Sequence, residues 1–115
     1  MSRRSAKRAP EPNAPQALLF AALGNRTRLA LIAKLGAGRP SSIAQLTAGT
    51  RLTRQAVTKH LRALQRAGIV RSARAGRERR FVLELQPIEE MQAYLERVSR
   101  QWDRALLRLK AFVED

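Results

Sequence analysis

The stretch Leu52–Gly68, LTRQAVTKHLRALQRAG, restricts this chain more than any other. It reads as a single helix with two unlike sides. Thr53 is a good N-cap, because its hydroxyl accepts from a first-turn amide that has no partner inside the helix. Gly68 is a natural C′ residue, free to take the left-handed conformation that ends helices. At about 100° per residue, Val57, Leu61 and Leu64 share one side. Gln55, Thr58, Lys59, Arg62 and Arg66 share the other, which carries no acid. A helix exposed only for solubility is well served by Glu–Lys pairs. Gln, Thr, Lys and Arg are instead the side chains that reach base edges and phosphates in a major groove. A solvated helix that happens to be basic is the competing reading, and the neighbouring segments weigh against it.

The charge of the whole chain points the same way. With 115 residues and a net charge of +14, it is one domain with a modest core and a polyanionic partner. Residues 1–84 hold 18 of the 23 Lys and Arg but only 3 of the 9 acids, so the tail beyond them is nearly neutral. Nucleic acid is the first candidate for that partner and an anionic membrane surface the second. Aromatic residues make up only 4% of the chain, so the core is built from Leu, Ile, Val and Ala. The absence of cysteine excludes a disulfide framework and a thiolate metal site. No apolar run follows the basic start in the manner of a signal peptide, and none is long enough to span a membrane. We therefore expect a cytoplasmic protein acting on the nucleoid, with no membrane contact.

In chain order, residues 1–15 combine Arg3, Arg4, Lys7 and Arg8 with Pro10, Pro12 and Pro15, the composition of a disordered basic arm. The nearly all-apolar run from Ala14 to Leu23 forms a first helix that needs cover on most sides, with Gly24 as its end. Asn25 caps a second helix to about Leu35, with Leu29, Ile32, Ala33 and Leu35 expected inward and Arg26, Arg28 and Lys34 outward. Ser42 opens a short third helix, with Gln45 completing a capping box and Ile43 and Leu46 facing the core. Short helix, tight turn containing Gly49 and longer basic helix make a helix-turn-helix.

After it, residues 69–74 read as a strand, 75–78 as a turn and 79–85 as a returning strand, with Phe81, Leu83 and Leu85 on one face. A basic hairpin in this position is a wing. Its Arg74, Arg77, Arg79 and Arg80 suit either a narrow minor groove or the adjacent phosphates. One acid, Glu78, stands against those four arginines, which argues against an ordinary surface hairpin.

A last helix from about Pro87 or Ile88 to Val113 carries Ile88, Met91, Leu95, Val98, Trp102, Ala105, Leu109 and Phe112 in steps of three and four. Its length of roughly 39 Å exceeds what so small a domain needs. Its overhang and the first apolar helix are both satisfied by a two-fold homodimer built on the terminal helices. We expect Leu18, Leu19, Met91, Leu95, Val98, Trp102, Leu106, Leu109 and Phe112 at that interface. Residues 16–86 then form the DNA-binding part and residues 87–115 the dimerisation helix of the same domain.

The segments LGNRTRLALIAKL and LTRQAVTKHLRALQRAGIVRSARAGRERRFVL, in this order of elements, resemble the ArsR family of bacterial winged-helix repressors. The resemblance runs from about Leu18 to Phe112. It implies a mainly α fold with a small β-hairpin, five helices plus a wing, dimerised through the first and last helices. It also implies repression of the protein's own promoter and neighbouring genes. By the same resemblance Thr53, Arg54, Gln55, Thr58 and Lys59 lie at the DNA, with Arg54, Gln55, Thr58 and Lys59 reading bases, and Arg62 contacts the backbone.

Metal-sensing members often place cysteines at the start of the third helix, where this chain has Ser42 and Ala44. Others use histidines and acids of the last helix, which here has no histidine. The single His60 cannot complete a four-ligand site alone, so it is read as a half-buried structural residue and the chain as a non-metal member with no cofactor. An enzyme is disfavoured, since there is no Gly-rich phosphate loop, no Cys nucleophile and no acid near the histidine. The expected partners are double-stranded DNA and a second copy, on a palindromic operator. The alternative is a non-specific architectural protein of the nucleoid.

Overall fold

The computed structural model describes residues 13–114, so residues 1–12 of the expected disordered arm lie outside the described residues. Asn13 caps the first helix and Ala14 and Pro15 open it, so the arm does not reach residue 15. Five helices and three short strands follow in the order α1 Ala14–Leu23, α2 Arg26–Leu35, β1 Ser41–Ser42, α3 Ile43–Thr47, α4 Arg54–Arg66, β2 Val70–Ala75, β3 Glu78–Leu83 and α5 Leu85–Glu114. Short-range chemistry sets the helix starts. Asn13 and Gln16 exchange side-chain-to-backbone bonds of 2.8 and 3.0 Å, and Ser42 and Gln45 repeat that box before α3. Asn25 accepts from the amide of Arg28, and the Thr53 hydroxyl accepts from that of Ala56 at 3.1 Å. Each such cap contributes about 1 kcal/mol.

The end of α4 is equally specified. Ala67 closes the helix and Gly68 sits at φ +81°, where a side chain is strained. The Gly68 amide donates to Gln65 and the Ile69 amide to Leu64, the paired bonds of a Schellman motif. Ile69 is thereby buried in the core beside Leu64, and β2 starts at the next residue. The wing then turns on two residues, Gly76 and Arg77. Gly76 at φ +66° matches the glycine-first type II′ hairpin.

The core is one cluster at the junction of α2, α3, α4 and the sheet. Leu31, Leu35, Leu46, Val57, Leu61, Leu64 and Ile69 are its fully enclosed side chains. Phe81 enters from β3, Leu19 from α1 and Met91 from α5. Phe20 and Tyr94 join α1 to α5, their rings 5.7 Å apart and tilted by 52°.

Several sequence expectations change. In α2 the buried residues are Leu31 and Leu35, whereas Leu29 is 51% exposed and Ala33 is also in the open. The segment LALIA is apolar at every position, so its pattern offers two faces and packing selects one. Arg28, expected outward, is half-buried and donates to the Ala22 carbonyl at 3.3 Å. The sheet has a third strand, since β1 pairs with β3 to give the order β1-β3-β2. The last helix begins at Leu85, with Pro87 within its first turn where a missing amide costs nothing. Leu85 therefore belongs to α5, 67% exposed, and not to the hairpin face with Phe81 and Leu83.

The interface residues read along the terminal helices divide into two sets. Leu19 and Met91 are covered by the chain itself, and Val98 is half-buried. Leu18, Leu95, Trp102, Leu106, Leu109 and Phe112 stay exposed. Beyond Gln101 every described residue of α5 is open to water.

Candidate nucleic-acid interface

The helix-turn-helix is positioned from below. Val57, Leu61 and Leu64 anchor α4 on the core with no exposed surface, and Leu46 anchors α3. Lys34 of α2 reaches across to donate to the carbonyls of Leu46 and Ala48, both at 3.1 Å. It thus places an ammonium at the negative end of α3 and fixes the turn between the two helices to the scaffold. From the sequence alone Lys34 is only an outward charge.

The opposite side of α4 presents Arg54, Gln55, Lys59 and Arg62, all exposed. Thr53 and Thr58 have local duties as well. The Thr53 hydroxyl caps the helix, and that of Thr58, half-buried, donates to the Arg54 carbonyl at 2.7 Å. His60 is half-buried in the same helix. Between Glu11 and Glu78 the chain contains no acid at all, so nothing local neutralises this face.

Strand pairing sorts the arginines of the wing. Side chains alternate across a strand, and Ser72 faces Phe81 while Arg74 faces Arg79 across the ladder. These four share the side that meets the core and α4. Arg80, opposite Ala73, takes the other side together with Arg71 and Glu78. There Arg80 pairs with Glu78 at 3.0 Å, and Arg71 with Glu84 at 2.6 Å. Arg77 sits at the tip, exposed. The four wing arginines named from the sequence are therefore not equivalent. Arg74 and Arg79 continue the open face of α4, Arg77 extends it, and Arg80 is turned away and paired.

Two further residues join helix to wing. The Ser72 hydroxyl accepts from Gln65 of α4 and from Arg79 of β3, each at 3.1 Å. The sequence expectations include neither Gln65 nor Ser72, although Gln65 lies one turn beyond Arg62 and Ser72 alternates with Arg74. Among the described residues no group of three His, Cys, Asp or Glu side chains is placed to hold a metal ion, and no helix is long and apolar enough to cross a membrane.

The chain superposes on an ArsR-like transcriptional regulator from Rhodococcus sp. RHA1 with a TM-score of 0.72. The two are 36% identical, and the match covers 86% of this chain and 92% of that one. This protein belongs to the ArsR family of transcriptional regulators. A helix-turn-helix domain model matches residues 23–73 of this ArsR-family chain, from the end of α1 into the wing. The uncharacterized HTH-type transcriptional regulator YuzN of Bacillus subtilis is 32% identical over 79 residues, 64% of this chain and 86% of the relative. HlyU from Vibrio cholerae, in its reduced form, is 25% identical with a TM-score of 0.59, and the match covers 77% of this chain and 90% of that one. The winged helix-turn-helix expected from the sequence is the observed fold, and this ArsR-family chain is a transcriptional regulator with a helix-turn-helix DNA-binding domain.

Proposed function

We propose that the protein is a sequence-specific, autoregulatory repressor that binds a palindromic operator as a homodimer in the cytoplasm. The observation that carries this reading is the open face of α4, where Arg54, Gln55, Lys59 and Arg62 stand exposed on a helix that contains no acid. Thr58, Arg54, Gln55 and Lys59 contact base edges in a major groove, and Arg62 with Arg74, Arg77 and Arg79 of the wing holds the phosphates that set register. Repression is steric, through occupation of the promoter. Residues 16–86 make these contacts, and residues 87–115 bring two copies together.

Dimerisation is supported by the exposed row of Leu95, Trp102, Leu106 and Leu109 on α5 and by exposed Leu18 on α1, apolar surface that no described residue covers. Two copies related by a two-fold axis place their α4 helices one or more DNA turns apart, as a palindrome requires. A non-metal mode of regulation is supported by the ligand inventory, which contains no cysteine and only His60, within the DNA-binding helix.

Fluorescence anisotropy against the protein's own upstream DNA and a scrambled duplex, at two salt concentrations, tests the proposal. A specific repressor prefers the upstream duplex by about a thousandfold or more, and the preference survives higher salt. Equal binding to both duplexes, collapsing together as salt rises, identifies a charge-driven architectural protein instead.

A further inference from the structure

Between the C-terminal half of α4 and the wing lies a notch of about 300 Å³. Thr58, Arg62, Gln65, Ser72 and Arg79 line it, over a floor that includes Phe81. The notch carries two guanidinium groups and no acid. The acids of the wing, Glu78 and Glu84, are engaged with Arg80 and Arg71 elsewhere. Its central group is the Ser72 hydroxyl, whose oxygen receives hydrogen bonds from both Gln65 and Arg79. A hydroxyl oxygen has two acceptor positions and one proton to give. Both acceptor positions are occupied here, so the proton is left to donate, and among the described residues no acceptor receives it. An oxygen-rich anion is the partner this arrangement lacks.

Position selects which anion. In a duplex, the phosphate backbone is the wall between the major and the minor groove. A protein with α4 in one groove and the wing at the next straddles that wall, and the notch is the gap it straddles with. We infer that the notch clamps one backbone phosphate per half-site, held by Arg62 and Arg79 as charge and by Ser72 as hydroxyl donor, with Gln65 as the residue that positions Ser72. The inference rests on the DNA-binding reading proposed above and assigns it a residue set that includes two neutral side chains.

The test replaces the phosphates of the upstream duplex one at a time by neutral methylphosphonates and measures Kd for the full-length protein. With the wild-type chain, one position in each half-site costs about tenfold, the strength of a charge-assisted contact. With Arg79→Gln or Ser72→Ala, that same position costs clearly less than in the wild type, with the larger reduction for Arg79→Gln, while the costs at all other positions persist. Gln65→Leu reduces the cost at that position without removing a charge. Thermal unfolding of each variant within a few degrees of wild type shows that the wing is intact.

If the wild type selects the upstream duplex but the variants weaken binding equally at every position, Ser72 is a brace only. The inference is then overturned while the proposed function stands. A wild type without sequence preference overturns both.

Discussion

The half of the molecule around α4 and the far half of α5 meet water in opposite ways. Around α4, every apolar side chain of the inward stripe is enclosed by the chain itself, and the outward side is polar or cationic throughout. Along α5 after Gln101, Trp102, Leu106, Leu107, Leu109, Phe112 and Val113 are all more than half exposed. Both helices are amphipathic, so the difference does not lie in their patterns. It lies in what the rest of the chain supplies. α4 has α2, α3 and β2 packed beneath it. α5 is wholly or partly covered only as far as Gln101, and at about 1.5 Å per residue its 30 residues outrun that support. A region completed by its own chain is free to present charge, whereas a region left incomplete offers its apolar side to other cover, which the proposed dimer supplies.

The largest expected effect separates the two regions by stability. Leu61→Ala removes a side chain with no exposed surface and should destabilise the fold by about 2–5 kcal/mol. Leu107→Ala, at 67% exposure, should change stability by no more than about 0.5 kcal/mol. Chemical denaturation of the two variants checks this, and equal losses would mean that the far half of α5 is as enclosed as α4. Next comes the pairing itself. Trp102→Ala should weaken the dimer by about 2 kcal/mol or more, roughly thirtyfold in dissociation constant, as loss of a central aromatic does. Sedimentation across a concentration series reads the change. An unchanged dimer would remove Trp102 from the seam.

How much of this was legible in the sequence varied with how local the cause is. The caps at Asn25, Ser42 and Thr53 and the stop at Gly68 depend on residues within five positions of one another, and each stands where the sequence placed it. The inward side of α2 was not legible, because LALIA is apolar throughout and only contact with α4 and β3 distinguishes Leu31 from Leu29. Strand β1 is two serines, too short to show alternation, and exists because β3 has a free edge. The role of Lys34 depends on carbonyls 12 and 14 residues away. At the candidate site, periodicity alone puts Gln55, Lys59 and Arg62 on the open side of α4, where they stand exposed. The sorting of the wing arginines required the register of β2 on β3, which a single strand pattern does not contain.

On the DNA-facing side, Gln55→Ala should relax base preference at one operator position by about 1–3 kcal/mol while leaving affinity for scrambled DNA almost unchanged. A binding-site selection on randomised duplex is the measurement. An identical preference profile for the variant and wild type would assign base reading to Arg54, Thr58 and Lys59 without Gln55. The outcome also sharpens the contrast between regions, since no substitution in the exposed row of α5 should alter which base is preferred.

The smallest effect lies within the wing. Arg77 at the tip and Arg80 on β3 carry the same charge and lie three residues apart, so a reading from charge alone makes them equal. Strand geometry makes them different, because Arg80 shares the side of Glu78 and pairs with it at 3.0 Å. Such an exposed pair is worth under about 1 kcal/mol, so the pair alone does not withhold Arg80 from DNA. Its direction on the strand does. Arg77→Ala should therefore lower the slope of log K against log salt by about one, the loss of one phosphate contact. Arg80→Ala should lower it by less than half of that. Glu78→Gln, which releases Arg80 without moving it to the other side, should leave the slope nearly unchanged. If Arg80→Ala matched Arg77→Ala, both sides of the hairpin would meet the duplex and the wing would lie deeper in its groove than the register of β2 and β3 implies.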